Sequence, residues 1–310
     1  MNPSDLLSQF DKLSQLVGDT PLHHFSSLDP RPGVEIYAKL EWLQWGGSVK
    51  MRPAFNLMKE AVRRGELHRG ISLLDSTSGN TGIAYASIAS KVGLKATIIM
   101  PEDATEERKV LIRSLGADLI LVPESMSSDE VFEYARQLAL DHPDKYLDVN
   151  QYDNDDNWQA HAQTTAPEIM SQTDERITHF CAGLGTCGTF VGTGRKLKQL
   201  NPEIQLIGMH VAEKENDIEG WKYLAGSRHP KIYDPTLADD KVYVTTEEAF
   251  AMVRTVARQE GWIISPSSGA ALAGAQKVAA GVEQGVVVTV LPDDGSKYGE
   301  VLKGLFEEPG

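Results

Sequence analysis

The chain has 310 residues, 41% of them hydrophobic and 24% charged, with a net charge of −14. This is the composition of a soluble globular protein, long enough for one large α/β domain or two lobes, and its acidity disfavours non-specific binding to nucleic acid or anionic lipid. No run of about 18 apolar residues offers a membrane span.

The N-terminal "MNPSDLLSQFDKLSQL" carries acidic residues and no small-residue cleavage site behind an apolar core, so no signal peptide is expected and the cytoplasm is the default. The two cysteines, Cys181 and Cys187, lie six apart without CxxC spacing, which argues against a disulfide framework and a four-ligand zinc site. His161, His179 and His210 show no metal-ligand spacing and read as surface or satisfied core residues; no metal is expected.

In chain order, strands are predicted at 33–41, 71–76, 95–100, 117–122, 177–183, 204–211 and 285–292, from short apolar or β-branched runs such as "KATIIM" and "GVVVTVLP". Helical periods cover Phe55–Arg64, Gly82–Val92, Glu106–Leu115, Ser128–Asp141 and Thr246–Gln259. Strand alternating with helix predicts an α/β fold built on mostly parallel sheets. The polar stretch "DVNQYDNDDNWQAH", 148–161, ends the first alternating series and reads as a hinge between two lobes, or else as a surface loop of one domain. In open α/β sheets ligands bind beyond the carboxyl ends of strands, so the strand-end loops carry the functional interest.

Three such loops stand out. "LLDSTSGNTGIAYAS" (73–87) crowds Thr77, Ser78, Asn80 and Thr81 around two glycines at a helix start. One cap residue would satisfy the helix, and four hydrogen-bonding side chains exceed that need, which suits an anion such as a carboxylate. "CAGLGTCGTFVGTGRKLKQL" (181–200) matches GxGxxG through Gly183, Gly185 and Gly188, and Glu213 ends the next strand, which is the dinucleotide fingerprint in its expected context. Physically it places a phosphate at a helix N-terminus, with Thr186 and Thr189 adding hydroxyls. In "WIISPSSGAALAGAQKV" (262–278), Ser267, Ser268 and Gly269 sit between a strand-like run and an alanine-rich helix.

Lys50 discriminates between cofactors. In "WGGSVKMRPAF" (45–55) it follows two glycines and a serine and precedes a helix. An aldehyde cofactor needs an amine for a Schiff base, whereas nicotinamide chemistry needs no lysine there. The motifs "GGSVKMRPA", "STSGNTG", "NQYDNDDN" with "TTAPEI", "GTCGT", "SPSSGAA" and "PDDGSKY" resemble, in order and spacing, the cysteine synthase and cystathionine β-synthase family of pyridoxal-phosphate enzymes. The wording "VKxRPA" is most similar to the cysteine synthase B or O-phosphoserine-using branch, and the resemblance runs from "VGDTPL" to "KYG".

The resemblance implies the tryptophan-synthase-β fold (fold type II): two lobes, each a mostly parallel twisted sheet flanked by helices, with pyridoxal 5'-phosphate in the cleft between them. A smaller lobe, 46–150, would carry Lys50 and the substrate-carboxylate loop; 1–45 with 151–310 would form the larger lobe with the phosphate loop. Lys50 is implied as the Schiff-base lysine that also moves the α-proton, and Asn80 as the partner of the ring oxygen. Gly185, Thr186, Cys187, Gly188 and Thr189 would hold the phosphate, and Ser267 would face the pyridine nitrogen. Thr77, Ser78, Thr81 and Gln151 would hold the substrate carboxylate.

The implied reaction is β-replacement on O-acetylserine or O-phosphoserine by a sulfur nucleophile through an aminoacrylate, giving L-cysteine or a related β-substituted alanine. A homodimer is implied, and a sulfur-carrier protein is one candidate donor. Four departures touch the pocket: Gln44 and Trp45 stand for Asn-Pro, Met51 for an acidic residue, and Pro266 enters "SPSSG". In 212–230, Trp221 and Lys222 stand where the branch places arginine; Lys222 could pair with a substrate phosphate as a point charge. Serine or threonine dehydration, a cystathionine-type condensation, an NAD-dependent oxidoreductase and a non-catalytic protein on the same fold remain alternatives. The lack of an extension after "VLKGLFEEPG" is expected to favour the synthase.

Overall fold

A computed structural model describes residues 3–77, 79–225 and 228–306. Its elements in chain order are α1 (Pro3–Leu13), β1 (Leu22–His24), β2 (Val34–Leu40), α2 (Met51–Arg63), β3 (Ser72–Ser76), α3 (Asn80–Val92), β4 (Lys95–Pro101), α4 (Glu106–Ser114), β5 (Asp118–Val122), α5 (Ser128–Asp141) and β6 (Tyr146–Asp148). They continue with α6 (Asp156–Gln163), α7 (Thr165–Gln172), β7 (Ile177–Gly183), α8 (Gly188–Leu200), β8 (Gln205–Val211), β9 (Asp240–Val244), α9 (Thr246–Gln259), α10 (Pro266–Ala280), β10 (Gly285–Leu291) and α11 (Gly299–Phe306). The chain divides into two compact units, Met1–Gly18 with Lys50–Asn157, and Asp19–Val49 with Trp158–Gly310.

The first unit holds a four-stranded sheet in the order β5-β4-β3-β6, every pair parallel. In β4, Ala96 to Met100 are all buried, the unalternating run expected of a strand covered on both faces. Helix α5 starts at the residue predicted because Ser127 and Glu130 form a reciprocal capping box. The expectation placed residues 1–45 with the other lobe, whereas the stretch up to Gly18 groups here. The Phe10 ring meets Phe55 edge-on at 5.3 Å and Asp11 pairs with Lys59 at 2.8 Å, which ties α1 to α2.

The second unit holds six strands in the order β1-β2-β10-β7-β8-β9, with only β1 antiparallel to its neighbour. Side chains of β10 alternate between two cores. Val287 and Leu291 pack with α9 and α10 residues such as Val253, Val256 and Leu272; Val286, Val288 and Val290 pack with Ala166, Ile169, Phe190 and Leu197. Both cysteines are free and buried, and burial pushes the Cys181 thiol far up.

The seven predicted strands form, with boundary shifts of a residue or so. Strands β1 and β6 span three residues each and β9 is polar at an edge, so none has the apolar run that marks a strand. The run "WII" contributes only the bridge Ile264–Asp294. The irregular reading of 148–161 gives way to α6, which crosses from one unit to the next at Asn157 and Trp158. Among the described residues no helix is long and apolar enough to cross a membrane.

Helix α8 approaches the start of α6 so closely that a Cβ on Gly192 would lie 1.9 Å from the Trp158 carbonyl oxygen and 2.9 Å from His161 Cβ. Gly192→Ala is expected to lower stability by about 1–3 kcal/mol through overpacking, measured as a reduced urea midpoint against the unchanged chain.

Candidate functional site

The topology of each sheet singles out one position. In the first unit the chain runs β3, β4, β5 in one direction and then returns with β6 on the other side of β3, so the switch point lies between β3 and β6. The two loops leaving the carboxyl ends of those strands carry the predicted carboxylate-binding residues. Thr81 Oγ1 donates to Gln151 Oε1 at 3.0 Å, and both residues are buried. The Gln151 carbonyl accepts from Asn157 Nδ2 at 2.6 Å, which pins the 149–157 loop.

Thr77 Oγ1 accepts from the Gly79 N–H at 3.2 Å, and Asn80 opens α3, whose start has no side-chain cap. Ser78 lies outside the described residues. Gly82 lies where α3 packs closely on the sheet and on α4; a Cβ there would meet Ile112, Ile98 and the Thr77 methyl at 3.1–3.2 Å, so these side chains would have to give slightly.

Lys50 is half-buried and sits at the N-cap of α2, at the junction between the units' sequence segments. The turn before it requires glycine: Gly46 and Gly47 have φ of +79° and +62°. Within the second unit the turn is fastened by Val49 N–H donating to the Pro292 carbonyl at 2.8 Å and by Lys297 Nζ donating to the Gly47 carbonyl at 3.0 Å. Gln44 does not project as a free polar group, since its amide donates to Glu41 Oε2 at 2.7 Å and Glu41 accepts from Thr20 Oγ1 at 2.7 Å. Met51 is fully buried inside the first unit, so its departure from the family pattern is a packing change within α2.

In the second unit the chain runs β7, β8, β9 and returns with β10 on the far side of β7, so the switch point lies between β7 and β10. The loop leaving β7 is the glycine-rich one. Cys187 takes the left-handed conformation, φ +70°, as N-cap of α8, and its own side chain does not cap that helix. Such a left-handed residue ahead of a helix start turns successive N–H groups toward one point, an anion cradle. Thr186 and Gly188 are buried beside it.

Thr189 Oγ1 meets His161 Nε2 at 3.3 Å, while His161 Nδ1 meets Thr165 Oγ1 at 2.9 Å. His161 is thus a satisfied core residue that braces the cradle, a role for which the sequence offers no signal beyond its four-residue spacing from Thr165. Two glycines of the fingerprint have a different task from the expected one. A Cβ on Gly183 would lie 2.0 Å from the Trp221 ring, and one on Gly185 2.0 Å from the Gly220 carbonyl. They admit the 220–222 segment, held by Lys222 N–H donating to the Leu184 carbonyl at 2.7 Å. The nicotinamide reading therefore loses the reason it assigned to these glycines.

Ser267 opens α10 behind Pro266 and is buried. Its Oγ lies 3.1 Å from Ser265 Oγ, Ser265 caps the Ser268 N–H, and Ser268 Oγ donates to the Asp293 carbonyl at 2.7 Å. This places the start of α10 against the segment leaving β10, beside the switch point. Tyr298 OH donates to Asp293 Oδ2 at 3.0 Å and secures that segment.

These groups fit pyridoxal phosphate: an amine at the head of α2, an uncapped cradle for a phosphate, and a hydroxyl at Ser267 for the ring nitrogen. One further sign is Ser48 Oγ, two residues before Lys50, which is buried and has no hydrogen-bond partner among the described residues. A buried hydroxyl in that condition is one a ligand can satisfy. Among the described residues no cluster of three or more His, Cys, Asp or Glu is arranged to hold a metal ion.

Residues 13–293 match the family described as pyridoxal-phosphate dependent enzyme. The chain is 42% identical over 305 residues to a cysteine synthase of Aquifex aeolicus, covering 96% of this chain and 93% of the relative. It is 38% identical over 300 residues to cysteine synthase B of Salmonella typhimurium, covering 96% of each. Among solved structures, it is similar to O-acetyl serine sulfhydrylase isoform 3 from Entamoeba histolytica, with a TM-score of 0.87 and 29% identity over 96% of this chain and 91% of that one. The cradle, the lysine turn and the near full-length likeness together show that this chain belongs to the pyridoxal-phosphate dependent enzymes, in the family of the cysteine synthases.

Proposed function

We propose that this enzyme carries out β-replacement on an O-activated L-serine, O-acetyl-L-serine or O-phospho-L-serine, with a sulfur nucleophile, giving L-cysteine or a related β-substituted alanine. One observation carries the reading: Thr81 and Gln151 meet at the switch point of the first sheet, in a chain whose relatives named cysteine synthase match it over 96% of its length.

Pyridoxal phosphate, when bound, supplies the electron sink that acidifies the substrate's α-proton and lets the β-substituent depart. Lys50 Nζ would hold the cofactor, and its amine is the base that would take up and return the substrate's α-proton. The N–H groups and hydroxyls of Gly185, Thr186, Cys187, Gly188 and Thr189 receive the phosphate, and Asn80 donates to the ring oxygen. Ser267 offers the ring nitrogen a hydroxyl, which leaves the pyridine largely neutral where a carboxylate would favour its protonation. That restrains delocalisation into the ring and favours loss of the β-substituent. Thr77, Ser78, Thr81 and Gln151 receive the substrate carboxylate, a site of hydroxyls and an amide at the positive end of α3. The homodimer, a sulfur-carrier protein as donor, and a cytoplasmic setting are supported by the family resemblance and belong to the same proposal.

Lys222 separates the two leaving groups. Its ammonium can neutralise a phosphate dianion and gains little from an acetyl ester. Lys222→Ala is expected to raise the KM for O-phospho-L-serine by about tenfold, the equivalent of about 1.4 kcal/mol, while the KM for O-acetyl-L-serine stays near that of the unchanged enzyme; equal effects on both would remove Lys222 from the leaving-group site. Lys50→Ala is expected to fold with an unchanged far-ultraviolet circular dichroism spectrum but to lose the visible absorption of the lysine-bound cofactor and all turnover. Retained visible absorption in that variant would assign the cofactor to another amine.

A further inference from the structure

A buried carboxyl beside the carboxylate-binding loop has no part in the reaction as described. Asp75, near the end of β3, is 1% exposed. Its Oδ2 accepts from Gln151 Nε2 at 3.2 Å, and Gln151 Oε1 accepts from Thr81 Oγ1 at 3.0 Å. A side-chain amide has one acceptor oxygen and two N–H donors. With one end of the amide engaged by Thr81 and the other by Asp75, the side chain is held at both ends and keeps one N–H to spare. Without the Asp75 contact the long side chain would be fastened at one end only, and its N–H would lose its fixed place.

We propose that Asp75 is a positioning residue for substrate binding: its buried carboxyl, hydrogen-bonded to Gln151 Nε2, anchors the Gln151 amide where its remaining N–H can meet the substrate carboxylate. This rests on the reading that Gln151 and Thr81 receive that carboxylate. The groups facing Asp75 are the Ser76 N–H, Tyr85 from α3, Gln151 from the loop after β6, and Asp148 at the end of β6, whose strand pairs with β3. Among the described residues none of these is a cation.

Burial first, and then the Asp148 charge, push the Asp75 carboxyl up to about 8. Asp148 is itself raised to about 6 by burial, against the pull of the Asn150 N–H and Arg136 and with a further push from Asp153. At neutral pH Asp75 is therefore mainly protonated, and its carbonyl oxygen is what Gln151 needs. Asparagine keeps that oxygen; leucine does not.

The stability linkage has a definite sign. Because the native pKa lies above the ordinary value of 3.8, the native state holds a proton that the unfolded chain releases, so the contribution of Asp75 is present below about pH 4 and lost as pH rises toward about 8. Asp75→Asn, which cannot ionise, is expected to gain in melting temperature relative to the unchanged enzyme as pH is raised from about 5 to about 9; a flat difference would mean that the carboxyl is already charged at neutral pH and would overturn the neutral acceptor.

The decisive experiment titrates the holoenzyme with L-serine, followed by the shift in the cofactor's visible absorption, and measures KM for O-acetyl-L-serine and for sulfide. Asp75→Leu and Gln151→Ala are each expected to weaken L-serine binding and raise the O-acetyl-L-serine KM by about tenfold, as for loss of one hydrogen bond to a charged group. The cofactor absorption and the sulfide KM stay as they were, and Asp75→Asn restores binding to within about threefold of the unchanged enzyme. Should Asp75→Leu fail to fold, Asp75→Ser, polar but too short to reach the amide, replaces it with the same expectation. Unchanged binding in Asp75→Leu or Asp75→Ser beside weakened binding in Gln151→Ala overturns the positioning role alone. Unchanged binding in Gln151→Ala overturns the reading of the carboxylate site itself.

Discussion

The parallel pairing of β3 with β6 and of β7 with β10 is the constraint on which the candidate site depends. A parallel pair sends both strands' following loops to the same edge, and a reversal of strand order leaves a gap between those loops into which side chains can project. In the first unit that gap is occupied by Thr81 and Gln151, in the second by the Cys187 cradle and the segment following Leu291. Helices on both faces supply what parallel strands lack, a cover for apolar side chains on either side, which is why β10 feeds two cores from alternate residues.

Charge in these loops is handled by dipoles and neutral donors more than by ions. The N-cap residues of α3 and α8, Gly79 and Cys187, make no side-chain cap, and the partial positive charge of a helix start can favour an anion without the cost of burying a lysine or arginine beside it. The buried ammonium of Lys39 is paired. Lys39, fully buried, donates to Glu168 at 2.6 Å, to Gln172 at 2.9 Å and to the Thr20 carbonyl at 2.6 Å. Asp75 follows the same economy from the other side: a carboxyl with no facing cation stays neutral and acts as a hydrogen-bonding group.

The departures from the family pattern divide by the space around them. Met51 is absorbed into the core of α2 and Gln44 is tied to Glu41, so neither offers a free group to a ligand. Trp221 and Gly220 instead occupy the volume that Gly183 and Gly185 leave open, which makes the 220–222 segment a wall of the glycine-rich loop. A substitution of either glycine would displace that wall before it disturbed the cradle, because the nearest atoms belong to an aromatic ring and a backbone carbonyl.

Much of this protein was legible in its sequence because the signals are local. Unalternating apolar runs mark buried parallel strands, Ser127 and Thr245 mark helix starts through capping boxes, and Gly46 and Gly47 mark a turn that only glycine adopts easily. The chemistry proposed for Lys50, the hydroxyl-rich 77–81 loop and the 185–189 loop rests on residue type, spacing and the family resemblance. What depends on residues far apart in the chain was decided by tertiary structure alone. Helix α1 joins the first unit through Phe10 and Asp11, His161 braces Thr189, Gly183 and Gly185 make room for Trp221 and Gly220, and Asp75 finds Gln151. Each is a contact across tens of residues, set by the shape of a packed core and by the need of every buried polar group for a partner, and neither leaves a periodic trace in sequence.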